Sequence, residues 1–310
     1  MAILEVEDLK VHFPIKAGIF NRTVDYTKAV DGVSFSIEEG KTYGLVGESG
    51  SGKTTTGRAI IGLEKVTSGK VIFEGKDVTA QKSKDKDFRR NIQMIFQDPY
   101  SSLNPRKRVL DIIAEPLRNF ENQTKNEERQ RVQELLELVG LTRDTILKYP
   151  HEFSGGQRQR IGIARAIALK PKVIIADEPV SALDVSVQAQ VLNFMKDIQK
   201  ELGLTYLFIS HDLGIVKHMC DDIAIMYRGR YVEQGTKEDI FFHPQHIYTK
   251  RLVAAIPDID PRNRKQQFRF RKTVQKEYEE SYDDYFDSEG LAFDLQQVSD
   301  THLVALPEKG

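Results

Sequence analysis

Cysteine is nearly absent from this chain, since Cys220 is the only one among 310 residues. One thiol excludes an internal disulfide, a Cys-rich zinc site and a Cys-ligated iron–sulfur cluster, and it is typical of a reducing compartment such as the cytoplasm. Long apolar runs are also missing, because no stretch approaches the ~18 residues that cross a bilayer. Residues 1–7 carry early acids instead of a basic region followed by an apolar core. We therefore expect a protein that is neither secreted nor membrane-spanning.

No charge of one sign predominates, because 45 basic and 46 acidic residues give a net charge of -1. A balanced chain produces no global field that favours nucleic acid or an anionic membrane surface, so such a partner would need a local patch. With 40% hydrophobic residues the chain can bury a sizeable core. Its length is compatible with one large domain or two modest ones.

Two glycine-rich loops are the most informative feature that is present. The first covers Gly47 to Thr55, and the second covers Phe153 to Gln157. Each places glycines and a hydroxyl just before a predicted helix, where free backbone N–H groups and the helix dipole hold anions. One nucleotide needs only one such cradle. The pair therefore predicts that each loop serves a different nucleotide, in a sandwich of two subunits.

The first loop matches the pattern of a phosphate-binding loop between a strand and a helix. Backbone N–H groups from Gly50 to Thr54 are expected to surround the phosphates, with Lys53 on the terminal ones, Thr54 on Mg²⁺ and Thr55 on an inner phosphate. The alternative is an ordinary glycine-rich turn, which the strand–helix context disfavours. The candidate nucleotide-binding residues of the loop are Gly47, Ser49, Gly50, Ser51, Gly52, Lys53, Thr54 and Thr55.

An apolar stretch from Val173 to Ala176 ends in two acids, Asp177 and Glu178. In an α/β sheet the ligand crevice lies at the carboxyl ends of the strands. We expect Asp177 to hold Mg²⁺ and Glu178 to orient and deprotonate an attacking water. The alternative interpretation is an acidic helix cap that follows a buried strand.

Two further polar residues follow predicted strands. His211 comes after the strand at 205–209 and could sense the γ-phosphate, although a lone histidine is more often structural. Gln97 comes after the strand at 92–96, and its amide could ligate Mg²⁺ or position water. Both residues are therefore candidates for the same catalytic edge of the sheet.

Phe13 lies between the first two predicted strands, where an aromatic ring could stack on adenine. Tyr26 competes for that role, and a core phenylalanine is the other alternative. His243 and His246 lie three residues apart, but no acid or cysteine nearby completes a metal site, so we expect none there.

Hydrophobic periodicity predicts an α/β chain. Strand patterns occur at 33–37 and 70–74, and a mainly helical middle section includes a capping box at Thr124 and Glu127. Alternating helices and strands later in the chain indicate a parallel sheet. These comprise a helix from Gly156 to about Leu169, a strand at 173–176, a helix at about 186–202 and a strand at 205–209.

Beyond a boundary predicted near 257–261, a basic segment at 262–276 is followed by an acidic one at 277–289. Adjacent blocks of opposite charge suggest a peripheral segment or an extended arm. Four aromatic residues in the tail make docking onto the body or a partner as plausible as disorder. They are Tyr278, Tyr282, Tyr285 and Phe286.

Together these motifs resemble a complete ATP-binding cassette (ABC) domain over about residues 1–256. The family's motifs fall, in order, on Phe13 (adenine stacking), Gly47 to Thr55 (Walker A), Gln97 (Q-loop), Ser154, Gly155, Gly156 and Gln157 (signature), Asp177 and Glu178 (Walker B and catalytic base), Asp184 (D-loop) and His211 (switch histidine). The resemblance implies an α/β P-loop NTPase core of the RecA-like type. It also implies an N-terminal antiparallel β subdomain, an inserted helical subdomain at about 98–160 and a C-terminal extension at 257–310.

A narrower resemblance to oligopeptide and dipeptide permease ATPases, especially the F-type oligopeptide subunits, is carried by residues 95–106 and 149–153. Residues 243–250 are similar to the C-terminal extension of that subfamily, although Ile247 stands where proline is usual. Some relatives carry a Cys-ligated iron–sulfur site in the extension, and Cys220 alone cannot supply one.

The resemblance implies a peripheral ATPase subunit on the cytoplasmic face of a membrane, with ATP and Mg²⁺ as cofactors. The subunit would pair with a second ATPase beneath two membrane-spanning permease subunits. An external peptide-binding protein would deliver peptides to those permease subunits. The catalytic residues of this chain would be Glu178, His211, Lys53 and Gln97, while Ser154 to Gln157 and Asp184 would complete the partner's nucleotide site. A nucleic-acid ATPase of the same superfamily is disfavoured by the balanced charge and the short 97–154 interval. An ATP sensor without turnover is disfavoured by Glu178.

Overall fold

The computed structural model describes residues 2–17, 21–80, 85–257 and 261–307. Its strands are β1 (Ala2–Ala17), β2 (Arg22–Glu38), β3 (Thr42–Val46), β4 (Ser68–Phe73), β5 (Lys76–Asp77), β6 (Ile92–Ile95), β7 (Val173–Asp177), β8 (Thr205–Ser210), β9 (Asp222–Tyr227), β10 (Arg230–Thr236), β11 (Leu295–Gln297) and β12 (Leu303–Ala305). Its α-helices are α1 (Lys53–Ile60), α2 (Lys86–Asn91), α3 (Pro99–Ser102), α4 (Val109–Phe120), α5 (Lys125–Leu138), α6 (Gly155–Ile167), α7 (Val185–Leu202), α8 (Leu213–Met219), α9 (Lys237–Phe242), α10 (Ile247–Ala254) and α11 (Arg264–Glu280). None of these helices has the length and apolar character needed to cross a membrane.

An antiparallel sheet is formed by the N-terminal part of the chain in the order β2-β1-β4-β5. Its long β1–β2 hairpin is irregular, with several shifts of register along its length. Leu4, Val6 and Leu9 are buried on one side, where they join a core that also contains strands of the second sheet. The antiparallel N-terminal subdomain expected from the family resemblance is therefore present.

The second sheet has the order β11-β12-β10-β9-β3-β8-β7-β6, and its segment from β9 to β6 is parallel. The register aligns Val46 of β3 with Ser210 of β8, and Asp177 of β7 with Ile209 of β8. Parallel strands end at the same edge. The loops that follow β3, β6, β7 and β8 therefore meet there, and they include the first glycine loop, Gln97, Glu178 and His211.

Successive side chains of a strand point to opposite faces of the sheet, and both faces of this sheet are covered by a core. Ile174 and Ala176 pack into a core shared with the helices between β6 and β7. Val173 and Ile175 pack into the other core, shared with α1 and the antiparallel sheet. A strand buried on both faces reads as a continuous apolar run, which is the pattern at 173–176.

Residues 98–160 contain α3, α4, α5 and the start of α6, joined by short 3₁₀ segments. The capping box predicted at the start of α5 is present, since Thr124 accepts from the N–H of Glu127 and the Glu127 carboxylate accepts from the N–H of Thr124. An inserted helical subdomain is thus present, while its domain limits and the 256/257 boundary stay predictions. The expected boundary segment 257–261 falls partly outside the described residues.

The C-terminal tail docks onto the body of the protein. Strand β12 pairs with β10 and so extends the parallel-strand sheet. Tyr278 and Phe286 are buried in the larger core. His302 is buried and forms a 2.7 Å contact with the buried carboxylate of Glu233, and this hydrogen bond raises the pKa of His302. Of the two fates considered for the tail aromatics, docking onto the body is the one that the structure adopts.

Candidate functional site

The first glycine loop connects β3 to α1 and passes close to two other segments. A Cβ atom at Gly47 would lie 2.2 Å from the carbonyl oxygen of Met226, and one at Gly52 would lie 2.2 Å from that of Ala29. Gly52 also has a φ of 109°, which side chains other than glycine rarely allow. Only glycine fits at these two points. The loop can therefore approach residues 226 and 29 this closely only with glycine at both positions.

Lys53 is buried at the first position of α1. Its ammonium group donates to the carbonyl oxygens of Gly47 and Glu48 at 2.8 Å and to the Ser51 hydroxyl at 3.4 Å. Burial lowers the pKa of Lys53, while the negative charges of Glu178, Asp177 and Glu48 act in the opposite direction. The ammonium is thus a buried positive charge that hydrogen-bonds to three residues of the loop, Gly47, Glu48 and Ser51.

Thr54 and Asp177 join the loop to the end of β7. The Thr54 hydroxyl donates to Asp177 Oδ1 at 2.8 Å, and Asp177 is only 1% exposed. Burial raises the pKa of the Asp177 carboxyl, and the hydrogen bond from Thr54 partly offsets that effect. A buried carboxylate of this kind is stabilised by a nearby cation.

The donor set around Asp177 fits Mg²⁺, which prefers oxygen ligands and usually takes one or two carboxylates together with phosphate oxygens. Thr54 supplies a hydroxyl and Gln97 an amide oxygen near the same strand end. Among the described residues, no group of three or more His, Cys, Asp or Glu side chains could hold a metal ion. A Mg²⁺ ion held by Thr54, Asp177 and Gln97 would take its other ligands from phosphate oxygens or water.

Glu178 lies where three strand ends converge. One carboxylate oxygen accepts from Gln97 Nε2 at 2.8 Å, and the other lies 3.0 Å from His211 Nδ1. Its backbone N–H donates to Ile209, and its φ of 44° is in the left-handed region, which costs roughly 1–3 kcal/mol for a residue other than glycine. The side chain is only 11% exposed. The structure thus brings Gln97, Glu178 and His211 together, as the strand pattern predicted.

The second glycine loop begins α6, where Ser154 caps the helix and forms a capping box with Gln157. Gly156 packs so closely on α7 that a Cβ atom there would lie 2.4 Å from Val187 Cγ1. Ser154 and Gln157 are exposed, and no hydrogen bond among the described residues links residues 154–157 to residues 47–55. The second loop therefore faces outward, separate from the first.

Two surfaces beside the loops are notable for their exposure. Asp184 caps α7 without a side-chain hydrogen bond to the helix, and the neighbouring Val185 is 82% exposed. On the β1–β2 hairpin, Phe13 is 40% exposed opposite Thr27, and Tyr26 is 52% exposed. Phe13 is therefore not a core residue, and the adenine contact of either aromatic stays a prediction.

The sequence did not single out Glu48 as a site residue. Its carboxylate contacts Arg251 at 2.6 Å, and its backbone N–H donates to the hydroxyl oxygen of Tyr248 at 3.4 Å. Arg251 is 203 residues away along the chain. No local pattern connects positions so distant, and only the docked C-terminal part reveals the contact.

Family comparisons agree with this fold and site. Residues 30–181 match the family described as ABC transporter, and residues 232–281 match the one described as "Oligopeptide/dipeptide transporter, C-terminal region". The chain therefore belongs to the ATP-binding proteins of the ABC transporter family, which are nucleotide-binding ATPases coupled to transport. The P-loop fold predicted from the motifs is confirmed.

Individual relatives make the likeness more specific. The chain is 56% identical over 309 residues to the oligopeptide transport ATP-binding protein OppF of Lactococcus lactis subsp. lactis, covering 99% of this chain and 97% of that protein. It is 50% identical over 270 residues to the dipeptide transport ATP-binding protein DppF of Escherichia coli, covering 86% and 80% of the two chains.

Solved structures are similar as well. One is cbiO1 of Clostridium perfringens, part of the ABC transporter complex cbiONQ, with a TM-score of 0.68, 28% identity and coverage of 89% of this chain and 98% of that one. Another is a dimeric post-hydrolysis state of the cassette MJ0796 bound to ADP and Pi, with a TM-score of 0.65, 27% identity and coverage of 76% and 98%.

Proposed function

We propose that the chain is the ATP-hydrolysing subunit of a membrane ABC importer that takes up oligopeptides. The observation that carries the proposal is the Glu178 carboxylate, held between Gln97 and His211 next to the Thr54–Asp177 pair. The identity to an oligopeptide transport protein over nearly the whole chain supports the choice of cargo.

In this proposal the first loop binds the ATP phosphates. Its backbone N–H groups and the N-terminus of α1, which has no acid in its first turn, favour anions. Lys53 neutralises the terminal phosphates, and Thr55 contacts an inner one. Thr54, Asp177 and Gln97 would hold Mg²⁺, which when bound neutralises charge that develops on the transferred phosphoryl group. Phe13 stacks on adenine.

Glu178 acts as the general base in this proposal. Its carboxylate accepts a proton from the attacking water, a contribution that is typically worth ~10²- to 10⁴-fold in rate. Gln97 and His211 fix the orientation of that carboxylate through its two oxygens. The positive φ at Glu178 supports a functional role, because such backbone strain often occurs at active sites.

The second loop serves a partner in this proposal. Ser154, Gly155, Gly156 and Gln157 present a helix N-terminus to solvent, which is suited to the γ-phosphate of an ATP held by a second ABC ATPase. The exposed residues Asp184 and Val185 would face that partner subunit. ATP then closes the dimer, and hydrolysis reopens it.

A shared site predicts that the isolated chain hydrolyses ATP slowly when dilute. Adding the partner ATPase should raise turnover per chain at least about tenfold, since charge-stabilising donors at a transition state are commonly worth ~10²-fold. Steady-state hydrolysis measured across a dilution series, with light scattering for the oligomeric state, checks this expectation. Full turnover by a sample that remains strictly monomeric would contradict it.

In this proposal a permease subunit docks into a groove lined by Phe96, the residue before Gln97. It has a volume of about 350 Å³, lies between the end of α1, β6 and α4, and is lined by Ile61, Met94, Phe96, Pro116 and Phe120 among others. Motion of a permease segment in this groove would reach Gln97 through its neighbour Phe96.

We place the chain on the cytoplasmic face of the membrane, with two permease subunits and an external peptide-binding protein, and with no nucleic-acid partner.

Reconstitution tests the proposed cargo. The complex that co-purifies with the tagged chain from its membrane is expected to contain two permease subunits and a second ATPase. In proteoliposomes it should accumulate a labelled oligopeptide only when ATP and the peptide-binding protein are supplied. ATP hydrolysis without peptide uptake, together with uptake of nickel or another small solute, would assign a different cargo to the same machinery.

A further inference from the structure

Helix α10, in the C-terminal part of the chain, contacts the phosphate-binding loop at Glu48. From α10, Arg251 contacts the Glu48 carboxylate at 2.6 Å, and the Tyr248 hydroxyl oxygen accepts from the Glu48 N–H at 3.4 Å. On the other side, the Glu48 carbonyl accepts from Lys53 at 2.8 Å. The three polar groups of Glu48 are thus bound to α10 and to the ammonium that closes the loop.

Arg251 also packs against two aromatic rings. Its guanidinium lies 5.1 Å from the ring centre of Tyr248 and 4.3 Å from that of Tyr278, which comes from α11. Cation–π contacts of this kind stabilise a guanidinium in one orientation. Tyr248 is fully buried and Tyr278 nearly so. The arginine therefore loses little additional side-chain freedom when it pairs with Glu48.

The aromatic cluster behind Arg251 connects the contact to the rest of the tail. Tyr227 of β9 packs on Tyr248 and on Phe286, with ring centres 4.8 and 5.0 Å apart. Phe286 in turn stacks on Tyr282 at 4.4 Å. Docking of the tail thus fixes the rings that fix Arg251.

We propose that Arg251 is a positioning residue for ATP binding, through which the docked C-terminal extension holds Glu48 and the phosphate-binding loop in the conformation that receives the phosphates. This inference depends on the proposed ATPase function. Preorganising a loop reduces the ordering cost of binding. In the described part of the chain, Arg251 contacts Glu48, Tyr248 and Tyr278 but not Glu178, Gln97 or His211, so loss of the Glu48 contact should weaken ATP binding and leave the chemical step intact.

Replacing Arg251 with methionine removes the charge and keeps an unbranched side chain. Arg251→Met should raise the dissociation constant for ATP about two- to fivefold, a modest effect because the Glu48 side chain is 56% exposed. Turnover at saturating ATP, measured with the partner subunit, should stay within about twofold. Equilibrium binding to the full chain and the rise in melting temperature caused by ATP are the two readouts.

A matched control is available one residue away. Lys250 contacts Glu277 at 2.8 Å and so joins α10 to α11, the same two helices that Arg251 joins. In the described part of the chain it does not contact Glu48. Lys250→Met should leave ATP affinity unchanged. If it weakens binding as much as Arg251→Met, the effect comes from general loosening of the extension and the proposal is wrong.

Glu48→Gln provides an independent variant that leaves the extension and its core intact. It should weaken ATP binding to a similar extent, and the double variant should be no weaker than either single one, because both remove the same contact. Additive effects, or normal ATP affinity in Glu48→Gln, would overturn the proposal. If the wild-type chain neither binds nor hydrolyses ATP beside its partner, the proposed function itself fails, and this inference with it.

Discussion

Glu178→Gln is expected to abolish ATP turnover while preserving ATP binding. Glutamine is close to glutamate in size and can still contact Gln97 and His211, but its amide cannot accept the proton of the attacking water. Loss of a general base should slow hydrolysis at least ~100-fold. The phosphate-binding loop is untouched, so ATP affinity should change less than about twofold. Hydrolysis and equilibrium binding of ATP, measured on the same preparation beside the partner subunit, check both halves of this prediction.

In the proposed cycle, closure precedes hydrolysis and reopening follows it, so the same variant should accumulate the closed, ATP-bound dimer. Size-exclusion chromatography with ATP and Mg²⁺ should therefore show more dimer for Glu178→Gln than for the wild type. Glu201→Gln, which changes an exposed carboxylate in the last turn of α7, is a suitable control and should behave as the wild type. Undiminished turnover in Glu178→Gln would remove this residue from the catalytic role.

Lys53→Met, unlike Glu178→Gln, should lose ATP binding itself. The ammonium is enclosed by the loop, with carbonyl oxygens at 2.8 Å on two sides. Truncating one member of a buried, hydrogen-bonded charge pair typically costs about 2 kcal/mol or more, which corresponds to roughly 30-fold in affinity. Calorimetric titration with ATP and Mg²⁺ measures the loss.

Lys65→Met is the matched control for that variant, because Lys65 is exposed just after the same helix. It should bind ATP normally. ATP affinity of Lys53→Met within about threefold of the wild type would contradict the assigned phosphate contact. Together, Lys53→Met and Glu178→Gln separate binding from chemistry at neighbouring strand ends.

Much of the fold could be predicted because its central strands read as unbroken apolar runs. Residues 173–176 and 205–209 lie within β7 and β8, which are buried on both faces. The helix predicted to follow the first glycine loop is observed from Lys53 to Ile60. The apolar runs specify the two strands, and the first glycine loop specifies the start of the helix. Short-range information was therefore sufficient in each case.

The catalytic edge could be inferred for a different reason. Gln97, Glu178 and His211 are far apart in sequence, yet each follows a strand of one parallel sheet. Parallel register brings such positions to a common edge whatever their separation along the chain. The geometry around Glu178 matches that expectation, because Gln97 and His211 contact its two carboxylate oxygens.

Contacts made by the tail could not be predicted in this way. His302 pairs with Glu233, 69 residues earlier, and Tyr278 of the tail packs on Arg251, which pairs with Glu48 203 residues earlier. These contacts depend on where the charged tail settles on the body, and its composition gave equal support to disorder. Side-chain pairs that form only after docking leave no periodic signal in the sequence.

The pairing of β12 with β10 has a consequence for how the protein is made. Glu233 and Gln234 find their strand partners at Val304 and Leu303, so β10 keeps an open edge until synthesis has passed residue 304. Unpaired edges are templates for association with other chains. A nascent chain whose residues 303–305 have not yet reached β10 therefore exposes this strand edge, and that is an interval in which a chaperone can protect it.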